Sequence, residues 1–145
     1  MQIEIIDYAS SYFSDVQRML QKEYDSQISQ EILEKHYVNS NRGIILAMDK
    51  DINMAIGCAF WEKQCDYVRP TSLFFVTYVV VNPNYRKQGI GNQMFEFLIK
   101  KAQACQCTAI ELTSANYRKG AHAFYKAIGF FPKKTTVFIK EIPER

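Results

Sequence analysis

A basic, glycine-containing segment, RKQGIG at residues 86–91, lies between two apolar regions of different period. Residues 73–81 form an apolar run, and the spacing of apolar residues over 94–102 predicts an amphipathic helix. Two glycines in three positions remove side-chain bulk where that helix begins. Unpaired amide groups at a helix start, the helix dipole and two nearby cations together favour a bound anion. The segment is predicted to hold phosphate against the main chain; the alternative is a tight strand–helix turn with two solvated cations.

Two familiar nucleotide motifs do not fit this segment. The Walker pattern G-x-x-x-x-G-K-S/T is absent from the sequence. A dinucleotide fingerprint that started at Gly89 would need a third small residue where Met94 stands. The phosphate prediction therefore rests on a different kind of site.

The periodicity of the chain predicts the elements that position this segment. Strands are predicted over residues 3–8, 43–48, 54–60, 73–81, 108–113 and 135–142, and helices over 12–22, after Ser29, after the glycines and over 121–128. Ser29 is predicted to cap the second helix. Three consecutive strands imply antiparallel pairing, and strand–helix–strand across 73–113 implies a parallel crossover. The predicted fold class is mixed α/β, a central, mostly antiparallel twisted sheet flanked by helices.

Two longer motifs carry a family resemblance. VVVNPNYRKQGIG, residues 79–91, resembles the acetyl-coenzyme A signature R/Q-x-x-G-x-G/A of the GCN5-related N-acetyltransferase (GNAT) family. AHAFYKAIGF, residues 121–130, resembles that family's A-x-x-F-Y-x-x-x-G-F helix. The order of predicted elements also matches, so the resemblance covers nearly the whole chain. It implies one GNAT acyl-CoA N-acyltransferase domain over residues 1–145.

The resemblance implies where acetyl-CoA would bind. The pyrophosphate would lie on the loop at residues 86–92, and the pantetheine arm would run along the preceding strand and pair with its main chain. Three valines in a row are equally typical of a strand buried on both faces. Arg118 would either reach a coenzyme phosphate or form a surface pair, and Phe124 is also suited to packing. The implied coenzyme contacts are Val79, Val80, Val81, Arg86, Lys87, Gln88, Gly89, Ile90, Gly91, Asn92, Asn116, Arg118 and Phe124.

The resemblance also implies one catalytic residue and leaves another open. Tyr125 stands where the family places the general acid that protonates the departing thiolate; its alternative is core packing. Many relatives carry a glutamate base two residues before the first pantetheine contact, where this chain has Thr77. Glu111, Glu23 and a water chain remain candidates for the base. His122 is expected to be a packed, hydrogen-bonded histidine rather than a base.

Composition narrows the class of protein. The 145 residues are 48% hydrophobic and 14% aromatic, enough for one domain with a core. A net charge of +3, from 18 basic and 15 acidic residues, is too mild to indicate nucleic-acid binding. No apolar run suits a membrane span and no signal-peptide pattern begins the sequence. The four cysteines lack the pairing and spacing of a zinc site, so we expect reduced thiols, no metal and a cytoplasmic location.

The sequence thus predicts an enzyme that transfers acetyl from acetyl-CoA directly to a primary amine of a small molecule or peptide. The alternative is a non-catalytic acyl-CoA-binding module of the same fold, which Thr77 favours and Tyr125 opposes. A nucleotide-binding regulator would need a base-recognition feature that we do not find. The acceptor is not specified; residues 23–36, the 62–70 link and the last strand are expected to shape its site. That last strand, if exposed, could also pair two copies into a homodimer.

Overall fold

The computed structural model describes residues 1–69 and 71–144, so Pro70, the end of the predicted 62–70 link, lies outside the described residues. The chain forms two compact units. The first is Met1–Thr113 and the second begins at Ser114.

The first unit is built on a five-stranded sheet with the strand order β1-β2-β3-β4-β5. Its strands are β1 (Ile3–Asp7), β2 (Arg42–Asp49), β3 (Met54–Cys65), β4 (Ser72–Val81) and β5 (Ala109–Leu112). The first four strands pair antiparallel, whereas β5 pairs parallel to β4. The predicted mixed, mostly antiparallel sheet and its parallel crossover are therefore confirmed.

Helices α1 (Phe13–Tyr24) and α2 (Gln30–Tyr37) pack on one face of this sheet. A 3-10 turn, Ser10–Tyr12, leads into α1, whose buried side chains recur at helical spacing. They meet the inward side chains of β2 and β3 in one apolar cluster. The Ser29 hydroxyl accepts a hydrogen bond from the Ile32 amide at 3.4 Å, which confirms the predicted cap of α2.

Helix α3 (Ile90–Ala104) packs against the sheet through a different set of side chains. The opposite face of β3 carries Trp61, whose ring stacks on Phe74 of β4 at a centroid distance of 5.0 Å. A Cβ added at Gly43 would lie 2.6 Å from the Trp61 ring, so only glycine fits beneath it. At Gly57 a Cβ would lie 3.3 Å from the Met94 sulfur, which shows how closely α3 approaches the sheet.

The second unit contains helix α4 (Lys119–Ala127), which confirms the helix predicted over 121–128. Gly129 follows with φ +104°, the left-handed conformation that ends a helix. The strand predicted over 135–142 is wrong, because residues 131–144 have no assigned strand. Alternation of apolar residues makes a strand only where a second strand supplies hydrogen bonds, and the described part of this unit has none. The proposed pairing of two copies through that strand loses its basis.

All four cysteines are free. Within the described residues, no helix is long and apolar enough to cross a membrane. The same residues contain no group of three or more His, Cys, Asp and Glu side chains arranged to hold a metal ion.

Candidate functional site

Strand β4 extends beyond its pairing with β5. The parallel ladder starts at Leu73↔Ala109 and stops at Val76↔Leu112, while β4 continues to Val81. On the β5 side, residues 77–81 therefore have no strand partner among the described residues. Their main-chain N–H and C=O groups form an edge to which an extended ligand can add as a further strand. Val79, Val80 and Val81, which are predicted to contact the coenzyme, all lie on this edge.

A β-bulge lies where this open edge begins. The register pairs Phe60 with Thr77 and Cys58 with Val80, so β4 has one more residue than β3 between these pairs. Within the bulge, Tyr78 has φ +50°, a left-handed conformation that is rare and costly for a bulky side chain. Strain of this kind concentrates at ligand-binding positions. Neither glycine nor proline marks the bulge, so no local signal in the sequence predicts it.

A buried thiol supports the bulge from the neighbouring strand. The Cys58 Sγ donates to the main-chain oxygen of Tyr78 at 3.8 Å. Burial raises the pKa of the Cys58 thiol to about 12, so the group keeps its proton and remains a donor. Cys58 therefore contributes packing and one weak hydrogen bond, and its thiol is unsuited to attack an acyl group.

The segment after β4 presents main-chain amides in the way that the glycines predicted. A 3-10 turn, Pro83–Tyr85, is followed by two left-handed residues, Lys87 at φ +62° and Gly89 at φ +78°. The first hydrogen bond of α3 runs from the Gln93 amide to the Gly89 oxygen at 3.2 Å. The N–H groups of residues 90–92 precede that bond and have no acceptor within the helix. Such a concave run of amides at a helix start suits an anion.

The loop carries two cations, Arg86 and Lys87. Arg86 Nε donates to the Val81 oxygen at 3.2 Å, and an Arg86 terminal nitrogen lies 3.7 Å from the Glu23 carboxylate. Its side chain is still 52% exposed, so a phosphate can approach it. Lys87 and Gln88 are exposed on the same loop. All the predicted loop residues, 86–92, are thus contiguous with the open end of β4.

The buried carboxylate of Asp49 anchors the loop. The Tyr85 hydroxyl donates to Asp49 Oδ2 at 2.6 Å, and the Asp51 amide donates to Asp49 Oδ1 at 3.0 Å. Asp49 is only 5% exposed. The hydrogen bond to this carboxylate raises the pKa of Tyr85 above its ordinary value. The β2–β3 hairpin therefore holds the start of the candidate phosphate loop in place.

The other predicted site residues lie in the second unit. Tyr125 is on α4, with ring-centroid distances of 5.5 Å to Phe124 and 5.8 Å to Phe130, both edge-to-face. Arg118 is the residue before α4, and its main-chain oxygen accepts from the His122 amide at 3.1 Å. The His122 Nε2 is buried without a hydrogen-bond partner among the described residues. Asn116 is exposed in the preceding segment.

Two candidates for the general base, Glu23 and Glu111, lie in the first unit. Glu23 lies next to the end of α1 and pairs with Arg86, as described above. Glu111 is on β5, in register with Phe75 of β4. Thr77, where the resemblance implied a carboxylate, is in register with Phe60.

The family model described as Acetyltransferase (GNAT) family matches residues 6–130. The chain belongs to the GNAT acetyltransferase family. No curated protein matches its sequence. The family match over residues 6–130 confirms the GNAT fold predicted from the two motifs.

Solved GNAT structures share this fold. The aminoglycoside 6'-N-acetyltransferase AAC(6')-Ih from Acinetobacter baumannii has 20% identity, covers 99% of this chain and 100% of its own, and gives a TM-score of 0.85. AAC(6')-Iy, in complex with a CoA bisubstrate analogue, has 14% identity, 99% and 100% coverage and a TM-score of 0.86. Glucosamine-6-phosphate N-acetyltransferase from Arabidopsis thaliana has 15% identity, 97% and 99% coverage and a TM-score of 0.80. At such identities the likeness is one of fold, since one fold hosts many substrates.

Proposed function

We propose that the protein is an N-acetyltransferase that transfers the acetyl group of acetyl-CoA directly to a primary amine of a small molecule or peptide. The observation that carries this proposal is the continuity of two features in one GNAT chain. The open, bulged end of β4 leads directly into a loop of unpaired amides with Arg86 and Lys87 beside it. One feature suits an extended pantetheine arm and the other suits a pyrophosphate.

In the proposed complex, the amides of residues 89–92 hold the pyrophosphate and Arg86 and Lys87 offset its charge. The pantetheine arm adds to the free edge at Val79, Val80 and Val81, which aligns the thioester with the bulge. A main-chain N–H there polarises the thioester carbonyl as negative charge develops on its oxygen. Gln88, Asn116, Arg118 and Phe124 remain further proposed contacts of the coenzyme.

The proposed reaction needs no covalent acetyl-enzyme. The neutral amine attacks the thioester carbon to form a tetrahedral intermediate, and the carbon–sulfur bond then breaks. The departing thiolate takes a proton from the Tyr125 hydroxyl, while the new amide loses the amine's excess proton. For an amine of pKa ~10.4, reaching the neutral form at pH 7 costs about 4.6 kcal/mol. With Thr77 at the usual base position, the ammonium proton leaves before binding or passes to water, Glu111 or Glu23. The excess proton that attack leaves on the nitrogen of the intermediate departs by the same route.

The family match spans residues of both units, which supports the proposal that residues 1–145 form one acetyltransferase domain. The four free cysteines suit a reducing compartment, and we propose the cytoplasm as the place of action. Thr77 is the one observation that favours a second candidate, an acyl-CoA-binding module without turnover.

The two candidates differ in one measurable product. Purified protein with acetyl-CoA and a mixture of primary amines should release free CoA, detected with a thiol reagent, together with an N-acetylated amine in the mass spectrum. Calorimetry on the same sample should show acetyl-CoA binding. If acetyl-CoA binds but no amine in a broad panel releases CoA, the protein is a binding module and the proposed function is wrong. An absence of acetyl-CoA binding would exclude both candidates.

A further inference from the structure

A row of four aromatic rings crosses the α1/α2 side of the first unit. Tyr24 contacts Tyr78 at 5.2 Å, Tyr78 contacts Phe60 at 5.4 Å, and Phe60 contacts Tyr37 at 5.3 Å, measured between ring centroids. All three contacts are edge-to-face, a favourable geometry for aromatic pairs. The rings come from the end of α1, the β4 bulge, β3 and the end of α2, and we call this set the aromatic row.

Only part of the aromatic row is buried in the core. Phe60 is 3% exposed and forms its floor, whereas Tyr78 is 46% exposed. Tyr24 and Tyr37 are half-buried at the edge of the apolar cluster. Tyr78 also adopts its costly left-handed backbone conformation here. A purely structural ring would not need half of its surface in water, so the row offers contact area for a ligand.

The aromatic row begins where the proposed chemistry would occur. Tyr78 is the bulge residue itself, and Phe60 is in register with Thr77 at the start of the open β4 edge. If the thioester lies at this edge, an amine that reaches it from the α1/α2 side must pass over Tyr78. The part of the acceptor that trails behind the nitrogen then meets the rings.

Beside the aromatic row, Glu23 and Arg42 have ion-pair partners, and Asp25 is an exposed carboxylate next to Tyr24. Glu23, adjacent to Tyr24, pairs with Arg86 at 3.7 Å. At the other end Arg42 lies 5.9 Å from the Tyr37 ring centre and pairs with Glu62 at 3.2 Å. A polycationic acceptor needs several carboxylates that are free to pair with it, because each desolvated ammonium group must be compensated. The row is better suited to ring surface than to multiple positive charges.

We infer that the acceptor is a primary amine attached to an aromatic ring, an arylalkylamine, and that its ring packs on Tyr78 and Tyr24. This inference rests on the acetyltransferase function proposed above and specifies its acceptor class. The aromatic row determines specificity, and the amine nitrogen projects beyond it to the bulge. Aminoglycosides, named for the Acinetobacter baumannii structure, are the contrasting class.

The test compares kcat/KM for CoA release with 2-phenylethylamine, propylamine and kanamycin. The wild-type protein should favour 2-phenylethylamine over both by roughly tenfold or more, the order expected when a ring is buried against aromatic partners. Tyr24→Leu should remove most of that preference by raising the KM for 2-phenylethylamine, with the KM for acetyl-CoA unchanged. Tyr78→Leu should act in the same direction. Phe97→Leu, which changes a half-buried ring on α3 outside the row, should keep the wild-type preference.

Equal kcat/KM values for 2-phenylethylamine and propylamine, or a higher value for kanamycin, would overturn the acceptor class and leave the acetyltransferase function standing. A Tyr24→Leu variant that unfolds at the wild-type temperature and keeps the full preference would also overturn it. Acetyl-CoA binding with no CoA release from any amine would instead remove the proposed function, and the acceptor class with it.

Discussion

Among single residues, Tyr78 combines a left-handed main chain with a half-exposed ring. Its φ of +50° in a bulge requires support from the surrounding structure, and that support comes from the Cys58 thiol behind it and from rings on both sides. The combination fixes the direction of the main chain at the start of the open edge. A position that is both strained and half-exposed is consistent with binding rather than with stability alone.

Tyr125→Phe tests the proposed general acid. The substitution keeps the ring contacts with Phe124 and Phe130 and removes the hydroxyl group that would supply the proton. A phenol of pKa ~10 can protonate a thiolate whose conjugate acid lies near ~8.5, so turnover should fall by roughly 10²–10⁴ while acetyl-CoA affinity persists. Steady-state rates and calorimetry measure the two quantities. Tyr117→Phe, at an exposed tyrosine of the same unit, is the matched control.

If the Tyr125→Phe variant turned over at the wild-type rate at every pH, the general-acid role would be contradicted and Tyr125 would be a packing residue. A parallel fall in turnover and in acetyl-CoA affinity would instead assign it to coenzyme binding.

Between elements, the β2–β3 hairpin and the β4–α3 loop are joined by the bond from Tyr85 to Asp49. The loop has two left-handed residues, and within its own turn the Tyr85 and Arg86 amides donate to the Asn82 and Pro83 oxygens. Contacts from outside the loop can add further order to it. A buried carboxylate from a neighbouring hairpin can provide that order, because a bond to an ionised acceptor is stronger than a neutral one. The site thus depends on an element that makes no proposed contact with the coenzyme.

Tyr85→Phe should raise the Kd for acetyl-CoA by several-fold, on the order of the loss of one charge-assisted bond. The pH dependence follows from the raised pKa of Tyr85. The neutral phenol is the donor, so its contribution is fully present below the ordinary tyrosine pKa of ~10 and is lost as pH rises through the raised value. Wild-type affinity should therefore weaken at strongly alkaline pH more than that of Tyr85→Phe, which lacks this phenol.

Tyr12→Phe is the control for that experiment, because it removes a 3.0 Å hydrogen bond from another tyrosine to Asn53 of the same hairpin turn. Calorimetry at several pH values measures all three proteins. An unchanged Kd in Tyr85→Phe would mean that the loop keeps its form without the bond.

At the scale of the whole molecule, coenzyme binding and folding stability are linked. Acetyl-CoA at one hundred times its Kd should stabilise the folded protein by about 2.7 kcal/mol, or roughly 5–11 °C in Tm for a domain of this size. Gly91→Val puts a branched side chain at the second residue of α3, in the proposed phosphate seat, and should abolish this shift. Its Tm without coenzyme should stay near the wild-type value, since valine is no worse than glycine within a helix.

Thermal unfolding with and without acetyl-CoA makes this measurement. Arg86→Ala should reduce the shift less than Gly91→Val, and added salt should narrow its difference from the wild type because an exposed ion pair is screened. Lys100→Ala, an exposed cation farther along α3, should behave like the wild type. A wild-type shift in Gly91→Val would mean that phosphate does not sit at the start of α3.

The sequence by itself determined the features that depend on neighbouring residues. Apolar period fixed the strands and helices of the first unit, Ser29 marked the start of α2, and the glycines marked the loop before α3. These signals are local, since capping, helical periodicity and left-handed turns each involve only a few consecutive positions. The GNAT motifs are local as well, which is why the family could be recognised without a structure.

Only the tertiary structure decided which strands lose their partners and which side chains meet. The end of the β4–β5 ladder at Val76, the bulge at Tyr78 and the bond from Tyr85 to Asp49 all join residues far apart in the chain. The aromatic row likewise draws its rings from four elements, and no spacing in the sequence predicts it. The same reason explains the wrong strand over 135–142, because alternation describes one strand whereas a ladder requires two.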